Sequence, residues 1–239
     1  ALSGECADEV FGGYPWFERS ELLEADTFPW CPDLEFRRAV VKPELWESLQ
    51  VEDYVQARYQ QSLAEMPDLP GEALWERRRR EVGWLSLNWF MSTLLDRKDR
   101  MSMAAGLEVR VPFCDHHLVE YVWNIPWAMK AMNGQRKQVL RDAAEGLLPE
   151  ELLRRPKSPY PKTHDPLYEQ LVRARLLTIL DDRDAPIHSL VDEKALRAGL
   201  LSDAGDYGKP WFGQLMAGPQ MLAYLIQINE WMSRYHLTV

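Results

Sequence analysis

Apolar residues recur at steps of three and four along much of this 239-residue chain, which is the spacing that places side chains on one face of an α-helix. The pattern is densest from Arg80 to Leu95, where apolar residues fall on two faces. We therefore expect a helix there that is buried on most sides, with Trp84, Trp89 and Met91 in the core.

Four further helices are predicted from apolar stripes and from their end signals. Asp115 stands at the N-cap position of a helix that runs to Trp123. Pro219 occupies the first turn of another helix, whose apolar stripe continues through Arg234. Amphipathic spacing also predicts helices over residues 137–147 and 166–180.

Strand signals are scarce. Only Ala1–Leu2 and Val109–Phe113 have strand-like character. The breaks between helices are rich in Pro, Gly or Asp, and none is long enough to be a convincing interdomain linker. The sequence therefore predicts a mainly α chain in one compact helical unit.

The composition is that of a globular protein. With 46% hydrophobic and 27% charged residues, the chain has enough apolar surface to bury the core of one domain or of two small ones. Its formal net charge of −9 disfavours broad nucleic-acid binding, which needs clustered Lys and Arg. No apolar run approaches the roughly 20 residues that span a bilayer, and no signal-peptide pattern opens the sequence. We therefore expect a cytoplasmic protein with neither nucleic acid nor membrane as a partner.

The cysteines and histidines predict neither a disulfide framework nor a metal site. Cys6, Cys31 and Cys114 are odd in number and far apart, so we expect three free thiols. His116 and His117 are adjacent and are expected to point apart, while the other three histidines are isolated.

The densest chemical signal lies at residues 3–14 (SGECADEVFGGY). Small residues at Ser3 and Gly4 let a ligand approach the backbone closely. Three carboxylates, among them Glu5 and Asp8, offer hard oxygen ligands or a base. Acidic residues also favour the solvated start of a helix, so composition alone leaves both interpretations open.

Two later clusters carry fixed positive charge. Residues 96–103 (DRKDRMSM) include Arg97, and guanidinium groups are natural clamps for carboxylate or phosphate. The same charges are also typical of the solvent-exposed end of a helix. Residues 154–162 (RRPKSPYPK) hold Lys157 between prolines, which stiffen a loop and could aim one ammonium at a developing negative charge. The modest alternative is that these basic residues complement a helix C-terminus.

Taken together, these segments resemble the asparagine synthetase family. Residues 2–14 resemble its second nucleotide-site motif, residues 99–113 its central motif and residues 155–157 its lysine loop. The similarity covers nearly the whole chain, including residues 210–215 (PWFGQL). The resemblance implies that residues 1–239 are the helical C-terminal part of an α/β synthetase domain of the adenine-nucleotide α-hydrolase-like (ATP pyrophosphatase) class, with most of the parallel sheet missing.

The family's reaction implies a ligase. ATP adenylates the side-chain carboxylate of aspartate and releases pyrophosphate. Ammonia, which a glutaminase domain releases from glutamine, then attacks the β-aspartyl-AMP to give asparagine and AMP. The implied partners are aspartate, ATP and ammonia, with Mg²⁺ as the cofactor, and the question of a homo-oligomer is left open.

Carried over position by position, the resemblance also implies residue roles. Ser3-Gly4 would line the nucleotide, Asp8 would help to hold Mg²⁺, and Glu5 would act on the incoming ammonia. Lys157 would neutralise charge on the pyrophosphate and on the adenylation transition state. Arg97 would lie at the substrate or phosphate side.

The chain departs from the family in two respects. Cys6 stands where most relatives have Gly, and a left-handed backbone conformation there would be strained. The family's phosphate-binding loop and its N-terminal glutaminase domain are absent from this sequence, so we expect the chain alone to be inactive.

Two other interpretations stay open. The first is a cyclising amide synthetase such as a β-lactam synthetase, in which the position of Glu5 is typically Tyr, so that Glu5 favours the asparagine reaction. The second is a non-catalytic helical binding module. A nucleotide-binding titration would discriminate this second interpretation from an enzyme.

Overall fold

The computed structural model describes residues 1–32, 34–131, 134–156, 165–199, 211–213 and 216–239. Within these ranges the chain is mostly helical. The α-helices are α1 (Ala7–Phe11), α2 (Ser20–Leu23), α3 (Glu35–Arg38), α4 (Pro43–Leu49), α5 (Val51–Ala64), α6 (Leu74–Leu85), α7 (Met91–Ala104), α8 (His116–Trp123), α9 (Trp127–Lys130), α10 (Gln138–Ala143), α11 (Glu150–Arg154), α12 (Pro166–Asp181), α13 (Glu193–Ala198) and α14 (Gly218–Tyr235). Short 3₁₀ turns occur at Pro15–Phe17, Pro112–Cys114 and Pro186–Ser189.

The β-structure of the described residues is confined to isolated bridges. Leu2 pairs with Arg110 in parallel, which joins the two segments that were expected to have strand character. Two antiparallel bridges occur elsewhere, Val41 with Val191 and Phe212 with Met216. The prediction of a mainly α chain is therefore confirmed for the part that the structure describes.

The described residues form two compact units. The first consists of Ala1–Pro29 and Arg58–Ser158, and the second of Trp30–Ala57 and Pro159–Val239. The apolar pattern predicted a single helical unit, and this expectation differs from the structure. The reason is that apolar side chains collect around separate cores, one of which includes Val10 and Phe11 while another includes Leu176 and Leu222.

In the second unit, the helices α12 and α14 pack against each other and supply most of the core. The stripe predicted for α14 is confirmed, because Met221, Leu222, Leu225 and Met232 are buried along one side. Helix α14 begins as expected with a proline in its first turn.

The first unit contains a long helix in three parts. Helices α6 and α7 are joined by a π-helical segment, Ser86–Phe90, with right-handed helical backbone angles at both junctions. The helix predicted over 80–95 is therefore confirmed and is longer than expected.

Burial of this helix is more one-sided than its sequence indicates. Val82, Leu85 and Phe90 are buried, whereas Trp89 is 40% exposed and Trp84 and Met91 are half-buried. Trp84, Trp89 and Met91 were expected to lie in the core, and this expectation is wrong for Trp89. Its ring lies at the edge of the unit, where its indole N–H donates a hydrogen bond to Ser62 Oγ over 3.1 Å.

The helix ends were predicted with mixed success. The Asp115 cap is confirmed, since its Oδ1 accepts hydrogen bonds from the backbone N–H groups of His117 and Leu118. The helix expected over 137–147 is shorter, spanning Gln138–Ala143. Lys137 has a left-handed backbone conformation (φ 57°), which keeps it outside the helix that follows. None of the helices in the described ranges is both long and apolar enough to span a bilayer.

The packing of α12 yields a stability prediction. We expect Leu176→Ala to lower the free energy of unfolding by about 2–5 kcal/mol, because the side chain is 0% exposed and its removal leaves a cavity. Leu171→Ala on the same helix, where the side chain is 60% exposed, should change it by less than about 0.5 kcal/mol. Urea-induced unfolding of both variants measures the difference. Equal losses would contradict the assigned core.

Candidate functional site

The acidic segment at the start of the chain is fastened to the central motif through the backbone. Ala1 N donates to Glu108 O over 2.7 Å, and Arg110 N donates to Ala1 O over 2.8 Å. Ser3 N in turn donates to Arg110 O over 2.9 Å. Two motifs that are distant in sequence therefore lie side by side in the first unit, with Ser3 at their junction.

Lys98 connects α7 to this junction. Its Nζ donates a hydrogen bond to Ser3 Oγ over 2.6 Å and lies 3.0 Å from Glu5 Oε2. The side chains of Lys98 and Glu5 are only 16% and 24% exposed, so this ion pair is less screened by solvent than a surface pair would be. One ammonium thus fixes the positions of two predicted site residues.

A second ammonium reaches the next predicted residue. Lys137 Nζ lies 2.7 Å from Asp8 Oδ1, and both side chains are about a fifth exposed. Lys137 directly precedes α10, while Asp8 lies in the first turn of α1. An acidic residue is favoured there by the free N–H groups of a helix start.

The glycine pair after α1 makes room for this arrangement. A Cβ atom on Gly13 would lie 1.7 Å from Asp8 Oδ1 and 2.5 Å from Lys137 Cε, so a side chain at this position would displace the ion pair. Gly12 has φ +72°, and a Cβ there would lie 2.3 Å from the ring of Trp127. Both positions therefore require glycine for steric reasons.

Gly4 is different, because packing does not require it. A Cβ at Gly4 would meet no described atom within 4 Å, and the residue is exposed. Its lack of a side chain leaves the backbone between Ser3 and Glu5 open to close approach by a ligand.

Cys6 adopts the left-handed conformation that the sequence identified as a source of strain. Its φ is 73°, and its side chain is buried. A residue with a Cβ costs more than Gly in this region. The turn is nevertheless closed, because Val10 N donates to Cys6 O over 3.0 Å at the start of α1.

Glu9 is buried and hydrogen-bonded within the first unit. It is 3% exposed, and its Oε1 accepts a hydrogen bond from Tyr14 Oη over 2.7 Å. Tyr14 stacks on Trp16 with 4.2 Å between the ring centroids, and Trp16 Nε1 donates to Ser86 Oγ in the π-helical segment. Burial, followed by the neighbouring Glu9 carboxylate, raises the pKa of Tyr14. The end of the motif is thus anchored in the interior of the first unit.

The structure describes only one of the two basic residues that were predicted to belong to the site. Arg97 is exposed on α7, and the ammonium that reaches Ser3 and Glu5 belongs to the next residue, Lys98. Lys157 lies outside the described residues. The structure therefore brings together Ser3, Glu5 and Asp8, and adds Lys98 and Lys137 to them.

The sequence motif signalled Lys98 and Lys137 only weakly. Lys98 stands in a run of mixed charges, where the helical register alone decides which residue faces the motif. Lys137 precedes a helix that was predicted to include it. Neither position carries a spacing signal that would have singled it out.

Asp8 is the described carboxylate best suited to help hold a divalent cation. It is a hard oxygen donor beside the backbone turn, and it is partly exposed. Its carboxylate forms an ion pair with the Lys137 ammonium, whose place a cation of higher charge could take. The residues are therefore compatible with Mg²⁺.

The histidine pair corrects one expectation. His116 and His117 were expected to point apart, but their ring centroids lie 3.8 Å apart. Both are exposed in the first turn of α8, where long side chains can lean together despite the rotation between adjacent helical positions. With Asp115 they place three candidate ligand atoms within 4.8 Å of one another. Asp115 already caps the helix, so the group has a structural explanation.

A cavity of about 110 Å³ in the first unit is lined by Glu9 and Lys130, among other residues. Lys130 is 8% exposed at the end of α9. Burial alone lowers the pKa of Lys130 to about 8. A cation in this position is costly, because it has lost its hydration without gaining an ion pair among the described residues.

Comparison with known proteins gives consistent matches. The sequence model of the asparagine synthase family matches residues 1–233. The glutamine-hydrolysing asparagine synthetase 3 of Bacillus subtilis (strain 168) is 49% identical over 239 residues, which are 100% of this chain and 39% of that protein. The glutamine-hydrolysing asparagine synthetase 1 of the same organism is 42% identical over 73 residues, 30% of this chain and 12% of that protein. The glutamine-hydrolysing asparagine synthetase of Mus musculus is 45% identical over 67 residues, 27% of this chain and 12% of that protein. The chain thus spans about two fifths or less of the length of these relatives.

The buried ammonium of Lys130 yields a prediction of pH dependence. Its pKa is about 8 in the folded protein and 10.5 ordinarily, so the unfolded chain binds more protons between these pH values. The free energy of unfolding should therefore rise as the pH increases from about 8 to about 10.5. Below pH 8 both states are protonated and the full penalty applies. Lys130→Met should then be more stable than the wild type by roughly 2–4 kcal/mol at pH 7.

Urea-induced unfolding at several pH values measures this effect, and the advantage of Lys130→Met should shrink as the pH rises. Lys194→Met, which changes an exposed lysine on α13, serves as the control and should show little change. Loss of stability in Lys130→Met at pH 7 would show instead that the ammonium is stabilising.

Proposed function

The chain belongs to the asparagine synthase family, and on that basis we propose that it supplies part of the ATP-dependent synthetase site of a glutamine-hydrolysing asparagine synthetase. The reaction is the family's: adenylation of aspartate by ATP, followed by transfer of glutamine-derived ammonia to give asparagine, AMP and pyrophosphate. Because the chain spans 39% of its relative from Bacillus subtilis, the complete activity is proposed for the protein as a whole.

The observation that carries this proposal is the charged cluster at the start of the chain. Ser3 and Glu5 share the ammonium of Lys98, and Asp8 pairs with Lys137. The residues that the family motif assigns to nucleotide, ammonia and metal thus belong to one preorganised segment. Preorganisation matters because groups already held in place need not reorganise when charge develops in the reaction.

The nucleotide would approach the backbone at Ser3 and Gly4. Gly4 is open to solvent and needs no side-chain space for packing, so a ligand can come close to the peptide groups there. Lys98, which already donates to Ser3 Oγ, would hold the hydroxyl in place.

Asp8 would help to hold Mg²⁺, which when bound supplies neutralisation of the phosphate charge. Gly13 keeps the space around the Asp8 carboxylate free. Lys137 would maintain the carboxylate in position before the nucleotide arrives.

Glu5 would accept a proton from the attacking nitrogen. A carboxylate within reach of the nucleophile is suited to this role, and Lys98 fixes the orientation of this one. In this proposal the Lys157 ammonium balances the negative charge that builds on the departing pyrophosphate. Arg97 would lie at the substrate side, at the exposed surface of α7.

The fold of the first unit is also part of the proposal. The bridge between Leu2 and Arg110 is parallel, as expected at the margin of a parallel sheet. This supports assignment of the first unit to the helical C-terminal part of an α/β domain of the adenine-nucleotide α-hydrolase-like class. The other strands of that sheet would be supplied from outside the present sequence.

The proposal predicts that two variants of the full-length enzyme separate the half-reactions. Lys157→Ala should lower aspartate-dependent pyrophosphate release by roughly 100-fold or more, because the charge on the leaving group loses its counter-ion. Glu5→Gln should retain pyrophosphate release and lose asparagine formation, because the nitrogen then lacks its proton acceptor.

Both products are measured in the same reaction, and glutaminase activity provides an internal control that should survive in both variants. Normal pyrophosphate release in folded Lys157→Ala would refute the role of Lys157. If the unmodified enzyme neither binds ATP nor releases pyrophosphate, the chain acts as a binding module instead.

A further inference from the structure

Two of the three cysteines stand at matching positions of two paired segments, since Leu2 bridges Arg110 in parallel and Cys6 and Cys114 each follow four residues later. Cys114 is among the groups that raise the pKa of Cys6, which agrees with this placement of the two thiols. Cys6 is 3% exposed, and Cys114, at the end of the 3₁₀ turn Pro112–Cys114, is half-buried. Both are free thiols in this structure.

Contacts on both sides of the pair keep the two thiols together. On one side, Ser3 N donates to Arg110 O beside the parallel bridge that Leu2 makes. On the other side, Phe11 packs edge-on against Phe113, with 5.9 Å between the ring centroids. The proximity of the thiols is thus built into the backbone and core of the first unit.

We propose that Cys6 and Cys114 form an oxidative modification site that reacts with a hydroperoxide and closes to an intramolecular disulfide. The site is separate from the proposed ligase function and does not depend on it. Its location next to Glu5 would place a reversible covalent link between the acidic segment and the central motif.

The chemistry proceeds in two balanced steps. The more accessible thiol, Cys114, attacks the peroxide oxygen, which breaks the O–O bond, gives the sulfenic acid and releases an alcohol or water. Cys6 then attacks the sulfenic sulfur, which forms the S–S bond and expels the hydroxyl group as water together with the Cys6 proton. Two electrons pass from the thiols to the peroxide.

The surroundings of Cys6 disfavour its thiolate. Burial raises the pKa of this thiol most strongly, and the neighbouring Cys114, Glu9 and Glu5 add to the effect. A thiol reductant such as dithiothreitol should reopen the bond.

Peptide mapping tests the proposal directly. The chain is treated with hydrogen peroxide, its remaining thiols are alkylated, and it is digested with trypsin without reduction. The three cysteines fall in separate tryptic peptides, residues 1–19, 20–37 and 111–130. Before oxidation all three should be alkylated. Afterwards the peptides 1–19 and 111–130 should be recovered linked, with the Cys31 peptide still alkylated.

Matched variants control the assignment. Oxidation should lower the number of free thiols by two in the wild type and in Cys31→Ser, and by none through disulfide formation in Cys6→Ser or Cys114→Ser. Either of the last two variants suffices if the other fails to fold, and circular dichroism checks folding. Recovery of Cys6 and Cys114 as separate alkylated or over-oxidised peptides would overturn the proposal, as would a link that involves Cys31.

Discussion

The arrangement of the candidate site depends on two ammonium groups that stand opposite carboxylates in partly enclosed surroundings. Lys98 reaches Ser3 and Glu5, and Lys137 reaches Asp8. Carboxylates that are largely withdrawn from water are costly unless they are paired, so the loop is stable where these cations hold it. The same pairs bring the motif to a defined position relative to α7 and to the start of α10.

The backbone of the motif meets a second constraint, which is space. Gly13 leaves room for the Asp8 carboxylate, and Gly12 takes a left-handed conformation against Trp127. Cys6 accepts a similar conformation at greater cost. The departure from Gly therefore adds a thiol at the point where the two motifs meet.

Much of the local structure could be predicted from the sequence, because periodic burial and end caps are local signals. The stripe of α14 and the Asp115 cap are examples. The division into two units could not be predicted, since it depends on which apolar faces meet, and neither Leu176 nor Val10 carries that information alone. The start of α10 after Lys137, and not at it, follows from the left-handed backbone of that residue.

The sequence predicted the acidic residues of the candidate site but not the two lysines that pair with them. Ser3, Glu5 and Asp8 belong to one contiguous motif, so their proximity follows from the sequence. Lys98 lies on α7. Which residue of α7 faces Ser3 depends on the π-helical segment Ser86–Phe90 and on the tertiary packing of α7, and residue spacing reveals neither.

The affinity of the full-length enzyme for ATP in the presence of Mg²⁺ tests most directly whether Lys98 organises a nucleotide site. Isothermal titration calorimetry would compare the wild type with Lys98→Met and with the exposed control Lys194→Met. Loss of a charged hydrogen bond to Ser3 and of the pair with Glu5 should weaken binding by about tenfold or more. Lys194→Met should bind as the wild type does. Unchanged affinity in a folded Lys98→Met enzyme would contradict the account.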